Sequence, residues 1–188
     1  MTNLFDLSGR VMVVTGSSRG LGFEMARALA GAGAHVVMTA RDPVHLEQSA
    51  DRLRAEGATV TTRAFDLADP DACVAAIPAI VAETGRLDAL VNNAGINAWQ
   101  PLAEATMETW NAVMATNLRA TYLLSREAAR VMAAQRYGRI VNVGSALSVV
   151  GREKVQAYVS TKHGLVGLTR SLAAELGPDG ITCNLLAP

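Results

Sequence analysis

Val11-Met12-Val13-Val14-Thr15-Gly16-Ser17-Ser18-Arg19-Gly20-Leu21-Gly22 joins a continuous apolar run to a turn that holds three glycines. The run is short and does not alternate polar with apolar, which predicts a strand buried on both faces. Glycines let the backbone turn tightly and approach a pyrophosphate at the N-terminus of the following helix. The glycine spacing is not the literal G-x-G-x-x-G of the dinucleotide fingerprint. A glycine-rich turn by itself would be ordinary, but here it opens a βαβ unit of the right length, which favours a phosphate loop.

The same alternation runs outward from that stretch. Helical sequence from about Gly20 to Ala32 leads to a second apolar run, His35 to Ala40. Asp42 and Pro43 then suit an N-cap and a first helical position. The helix to about Gly57 precedes a third strand, Thr59 to Phe65. Asp69 and Pro70 repeat the cap signal before a helix ending near Gly85. Asp88 to Asn92 reads as the fourth strand, Thr106 to Gln135 as one long helix and Arg139 to Val143 as the fifth strand. Gly180 to Leu186 reads as the sixth. Strands alternating with helices predict right-handed βαβ units and an α/β fold with a doubly wound parallel sheet. Ligands of such sheets bind at the carboxyl ends of the strands.

The 188 residues form one domain's worth of chain, with half of them hydrophobic and few aromatic. Seventeen basic and seventeen acidic residues leave no net charge, so nucleic acid and anionic membrane are not expected partners. The opening Met1-Thr2-Asn3-Leu4-Phe5-Asp6 lacks the basic flank and apolar run of a signal peptide, and no run is long enough to span a bilayer. Cys73 and Cys183 are far apart and have no partners at metal-ligand spacing. They read as reduced packing residues of a cytoplasmic protein without a metal site.

Near the C-terminal end stands Tyr158-Val159-Ser160-Thr161-Lys162, thirteen residues after Ser145. Helical residues four apart share a face, and a fixed positive charge beside a phenol favours its ionised form. Such a pair can move protons near neutrality; a half-buried aromatic beside a solvated lysine is the plainer alternative. Asn117 interrupts a stripe made by Trp110, Val113, Met114, Thr121, Leu124 and Ala128. A buried amide needs partners, so it either pins the helix to a neighbouring loop or orders a water.

Thr15-Gly16-x-x-x-Gly20-x-Gly22, Asn92-Asn93-Ala94-Gly95, Asn117, Ser145 and Tyr158-x-x-x-Lys162 occur in one order along the whole chain. In these motifs the sequence resembles the short-chain dehydrogenase/reductases. The resemblance implies a Rossmann-type sheet that binds a nicotinamide dinucleotide, and a catalytic tetrad of Asn117, Ser145, Tyr158 and Lys162. It implies cofactor contacts from Gly16, Ser18, Arg19, Gly20, Leu21, Gly22, Arg41, Asp66, Leu67, Asn93, Ala94 and Gly95, joined by Tyr158 and Lys162. Tyr158 would be the proton donor in reduction and the base in oxidation. Lys162 would support the phenolate and the nicotinamide ribose, and Asn117 would order a water relay. Ser148 is a rival to Ser145 for the hydroxyl that meets the substrate oxygen. Asp66 can equally be a turn residue.

An acidic residue about twenty positions past the glycines would hold the ribose 2′-hydroxyl of NAD, whereas an arginine suits the 2′-phosphate of NADP. Asp42 has the spacing but is also a cap. Arg41 is nearer the strand end and Arg19 adds a second cation, which makes NADP preferred, with NAD the alternative. Within the family, Leu4 to Gly9, Ser145 to Arg152 and Lys162-His163-Gly164 look most like gluconate 5-dehydrogenases and related sugar-acid or polyol enzymes. The 3-oxoacyl-acyl-carrier-protein reductases come next. The helices at about 106–135 and 154–177 suggest a homodimer or homotetramer, with Ala128, Ala129, Ala133, Ala157, Gly164 and Gly167 allowing close approach. The resemblance also implies elements after Pro188, a seventh strand and a cover for the substrate among them. A chain without them would expose a strand edge, and the expectation for it is a dinucleotide site with little or no turnover.

Overall fold

The computed structural model describes residues 4–188. The reading of Met1, Thr2 and Asn3 as the start of a leaderless chain lies outside the described residues. Six strands form a single parallel sheet: β1 (Val11–Thr15), β2 (His35–Ala40), β3 (Val60–Ala64), β4 (Ala89–Asn92), β5 (Gly138–Val143) and β6 (Ile181–Leu186). Their spatial order is β3-β2-β1-β4-β5-β6. The chain winds outward in one direction from β1 and then in the other from β4, so a topological switch point falls between these two central strands. Their register sets Val13 against Val37 on one side and against Leu90 on the other.

Alternation along the central strands divides the core in two. Val11 and Val13 of β1 face α3 (Pro70–Thr84) and α5 (Ala120–Gln135), where Ile77, Ile80, Leu124 and Met132 complete one cluster. Met12 and Val14 face α1 (Gly20–Gly31) and α2 (Pro43–Ala55), packing with Phe23, Ala26, Leu46 and Leu53. All five residues of β1 are buried, as an apolar run without alternation requires. Edge strand β6 buries Ile181 and Cys183 and exposes Thr182, Asn184 and Leu186.

Local chemistry explains the helix boundaries. Asp42 and Asp69 each accept two backbone N–H bonds at the head of α2 and α3, and a proline follows each cap. Gly85 closes α3 in the left-handed region. The long helix expected over 106–135 is one continuous rod but not one regular helix. It comprises α4 (Met107–Met114), a π turn (Ala115–Arg119) and α5. The wider turn keeps Val113, Asn117 and Thr121 on the buried side at spacings of four, while Trp110, counted in the same stripe, lies 36% exposed at its outer end. Ala128, expected on a surface of association, is instead fully buried in the α3–α5 core. A methyl at Gly164 would touch Leu118 of the same chain. Small residues at these two positions therefore serve packing within the chain. α6 (Gln156–Leu176) lies against β6 and carries Tyr158 and Lys162 in its first turns.

Candidate dinucleotide and proton-transfer site

The loops after β1 and β4 are stitched together at the switch point. Thr15 Oγ1 accepts from the backbone N–H groups of Asn93 and Ala94, each at 3.0 Å. Asn93 Nδ2 donates back to the carbonyls of Thr15, at 2.9 Å, and Gly16, at 3.3 Å. Gly16 adopts φ +65°, and a Cβ there would lie 2.8 Å from Ala94 Cα. A Cβ on Gly22 would press into Gly16 O and Asn93 Nδ2. Two of the three glycines are thus required by close approach as well as by the turn.

α1 differs from α2 and α3 at its head. Its N-cap residue Arg19 makes no side-chain cap bond and no acidic residue stands in the first turn. The first-turn amides, and the positive end of a twelve-residue helix, are left for an anion. They open on a cleft of about 500 Å³. Gly16, Ser18, Arg19, Leu21, Gly22, Arg41, Asp66, Leu67, Asn93, Ala94 and Gly95 all line it. Gly20, Tyr158 and Lys162 do not, although Gly20 begins α1 with φ +57°. Thr39, Phe65, Ile96 and Thr116 are lining residues that motif reading missed. Thr39, Phe65 and Ile96 follow from the parallel topology, which brings strand ends together whatever their sequence, and Thr116 is brought there by the π turn.

A second cavity of about 510 Å³ adjoins at Ser18, Arg19 and Arg41 and extends to His45 and Arg52. Asp42 stands on its wall but is committed elsewhere. Its carboxylate accepts from Val44 N at 2.9 Å, His45 N at 3.1 Å and His45 Nδ1 at 2.6 Å. Arg19 and Arg41 form no ion pair among the described residues. Asp66 serves the turn, taking Ala68 N at 2.8 Å, while still lining the first cleft.

The other predicted residues gather where β4, β5 and α6 meet. Asn117 uses both ends of its amide on one residue: Oδ1 accepts from Ile96 N and Nδ2 donates to Ile96 O, each at 2.8 Å. Nδ2 also reaches Thr161 Oγ1 at 3.3 Å. The first of the two sequence alternatives is therefore present, a helix pinned to the β4 loop, at a π turn of the kind that recurs at functional sites. Lys162 is 4% exposed, and its Nζ donates to Val143 O at 2.6 Å. That nitrogen lies 5.4 Å from the centre of the Tyr158 ring. A Cβ on Gly95 would be 3.5 Å from Asn117 Oδ1 and 3.9 Å from Lys162 Nζ, so the cleft wall and the ammonium adjoin. Burial pulls the lysine pKa down to about 8.

Ser145 follows the carbonyl that Lys162 holds by two residues. Its Oγ accepts from Leu147 N at 3.1 Å. Its rival Ser148 is 3% exposed, with Oγ accepting from Ser145 N at 3.0 Å, so Ser148 braces the turn and Ser145 is the more open hydroxyl. Beneath them a buried ladder crosses the sheet. Asn92 Nδ2 donates to Ser125 Oγ at 3.0 Å and to Asn142 Oδ1 at 2.9 Å, and Asn142 Nδ2 donates to Thr169 Oγ1 at 2.9 Å. Asn92 thereby ties β4 to β5 and α5. Among the described residues no cluster of His, Cys, Asp and Glu could hold a metal ion, and no helix is long and apolar enough to cross a membrane.

The chain is similar in sequence and fold to known proteins. Gluconate 5-dehydrogenase of Gluconobacter oxydans (strain 621H) is 38% identical over 186 residues, covering 99% of this chain and 73% of that protein. The 3-oxoacyl-[acyl-carrier-protein] reductase FabG of Escherichia coli (strain K12) is 37% identical over 183 residues, 97% of this chain and 74% of that one. Among solved structures, a gluconate 5-dehydrogenase from Burkholderia cenocepacia J2315 in complex with NADP and tartrate superposes with a TM-score of 0.93 at 38% identity. It matches 98% of this chain over 72% of its own length. The model of the short chain dehydrogenases matches residues 10–188. With that model matching nearly the whole chain and relatives 37–38% identical across it, this chain belongs to the short chain dehydrogenase family.

Proposed function

We propose that the chain is a single dinucleotide-binding domain of an NADP-preferring oxidoreductase that interconverts a secondary alcohol and a ketone, with a sugar acid or polyol as substrate. The observation that carries this reading is the Lys162 ammonium, buried between Val143 O and the Tyr158 ring at the wall of the cleft. Such a lysine favours the charged form of a neighbouring phenol. Tyr158 then gives a proton to the substrate oxygen in reduction and takes it back in oxidation. Ser145 hydrogen-bonds that oxygen, and Asn117 fixes the Gly95–Ile96 wall against α6. A nicotinamide bound here would supply or accept the hydride. The glycine loop, the uncapped head of α1 and the free Arg19 and Arg41 suit the diphosphate and a 2′-phosphate. The commitment of Asp42 to its cap argues against a 2′-hydroxyl contact there.

The sugar-acid reading rests on likeness to gluconate 5-dehydrogenases, and the acyl-carrier reading on the 37% identity to FabG. Both free cysteines are buried, which suits a reducing, cytoplasmic setting. Association as a two-fold dimer or a tetramer fits the exposed stretches of α5 and α6, with Ala128 no longer part of that surface. The test is a rate assay with NADPH and NADH against 5-keto-D-gluconate and a 3-oxoacyl thioester. Faster NADPH oxidation with the keto acid than with the thioester, however slow both are, is the expected result. Arg41→Ala should lower the NADPH-to-NADH preference about tenfold or more, since charge-assisted contacts are roughly twice as strong as neutral ones. Equal loss with both cofactors would make Arg41 structural.

A further inference from the structure

The loop after β4 and the loop before α6 are latched to each other on the far side of Gly95. Gln100 N donates to Lys154 O at 2.8 Å. Just beside that bond the Arg152 guanidinium lies over the Trp99 ring, 4.9 Å from its centre. Trp99 follows the cleft residue Gly95 by four positions, and Arg152 stands between Ser145 and Tyr158 in the chain. The pair therefore marks the rim where the two site-bearing loops join.

Arg152 is unusual among the arginines here. Arg10, Arg27, Arg54, Arg86, Arg126 and Arg130 all pair with carboxylates. Arg152 makes no hydrogen bond or ion pair to any described residue. Arg170 is also unpaired, and the unpaired Arg19, Arg41 and Arg52 line the cavity beside the glycine loop, where Arg52 stacks on Phe23 at 4.5 Å. Arg152 lines neither of those cavities and is held by one face over Trp99, with its N–H edge free. Val149 and Val150, just before it in the chain, are 76% and 53% exposed, and Trp99 beneath it is 52% exposed. An exposed apolar rim carrying one pre-positioned guanidinium can bind a carbon chain that ends in a single anion.

We propose that Arg152, stacked on Trp99, is the specificity-determining residue that takes the carboxylate of the substrate. The proposal rests on the oxidoreductase reading for where the reacting carbon lies. A planar guanidinium edge matches a carboxylate with two parallel N–H···O bonds, and the stack lowers the ordering cost of the long side chain. A neutral polyol of the same length has nothing to offer that edge.

Trp99 is itself the reporter. In a Trp110→Phe, Tyr158→Phe background, which blocks turnover, and with NADP⁺ present, its emission is titrated with D-gluconate, with D-sorbitol, which lacks the carboxylate, and with inorganic phosphate at matched ionic strength. Gluconate is expected to change the emission saturably and sorbitol to leave it unchanged. Arg152→Gln should raise the half-saturation for gluconate at least tenfold, with Arg152→Lys between the two. No saturable response, an equal response to sorbitol, or an unaltered response in Arg152→Gln would each overturn the proposal. A phosphate response matching that of gluconate would also overturn it, by assigning the arginine to phosphate. The readout needs no hydride transfer, so an inactive protein can pass it and an active one can fail it.

Discussion

Burying the Lys162 ammonium beside Val143 O and the Tyr158 ring opposes folding at neutral pH, because burial disfavours the charged form. The folded pKa of about 8 lies below the ordinary 10.5, so between these values the unfolded chain binds more protons than the folded one. Stability must then rise as pH increases through that window, whereas below pH 8 both states are protonated and the penalty is constant. The expected gain between pH 7.5 and 10 is about 2 kcal/mol, read as the difference between wild type and Lys162→Met in urea unfolding. Parallel pH curves for the two proteins would mean that the ammonium is not desolvated. The same residue was legible in the sequence only as half of a tyrosine-lysine pair. Its partner is a backbone carbonyl of β5, and no side-chain pattern encodes that.

At the scale of elements, caps and glycines were readable because their chemistry is local. Asp42 and Asp69 each precede a proline, and β2 runs over His35–Ala40 as its apolar run suggested. The π turn was not readable, since Ala115-Thr116-Asn117-Leu118-Arg119 carries no residue that demands it. The nearest signal is a polar residue at spacings of four inside an apolar stripe. Nor did composition reveal that Ala128 faces α3, which is decided by how α5 rolls on its neighbours. The glycine loop makes a sharp contrast within α1. Gly22→Ala should destabilise the fold by about 1–3 kcal/mol through overpacking and weaken NADPH at least tenfold, because the methyl meets backbone and a fixed amide. Gly31→Ala at the other end meets nothing within 4 Å and should be neutral or stabilising by up to about 1 kcal/mol. Thermal melts and NADPH titration of the two variants check both expectations.

On the scale of the whole molecule, winding outward from β1 and then from β4 puts the uncapped head of α1 and the Tyr158–Lys162 pair at the same end of one sheet. Each face of the sheet has its own core cluster, one under α1 and α2 and one under α3, α5 and α6, and both clusters draw on strands from either side of the switch point. The alternation of strands and helices along the chain was enough to expect the parallel sheet that brings the helix head and the pair to one end. The two halves of the site are joined through Thr15, Asn93 and Asn117, whose side chains bond to the backbone of the facing loop. If the division is real, binding and chemistry are separable by mutation. General acid catalysis contributes roughly 10²–10⁴-fold, and a phenyl ring keeps the packing of Tyr158 while removing its proton. The decisive measurement is turnover and NADPH affinity of Tyr158→Phe, side by side with wild type. Turnover should fall by about 10²-fold or more while the NADPH dissociation constant stays within a few-fold, and retained wild-type turnover in the variant would contradict the assignment of Tyr158 as the proton donor.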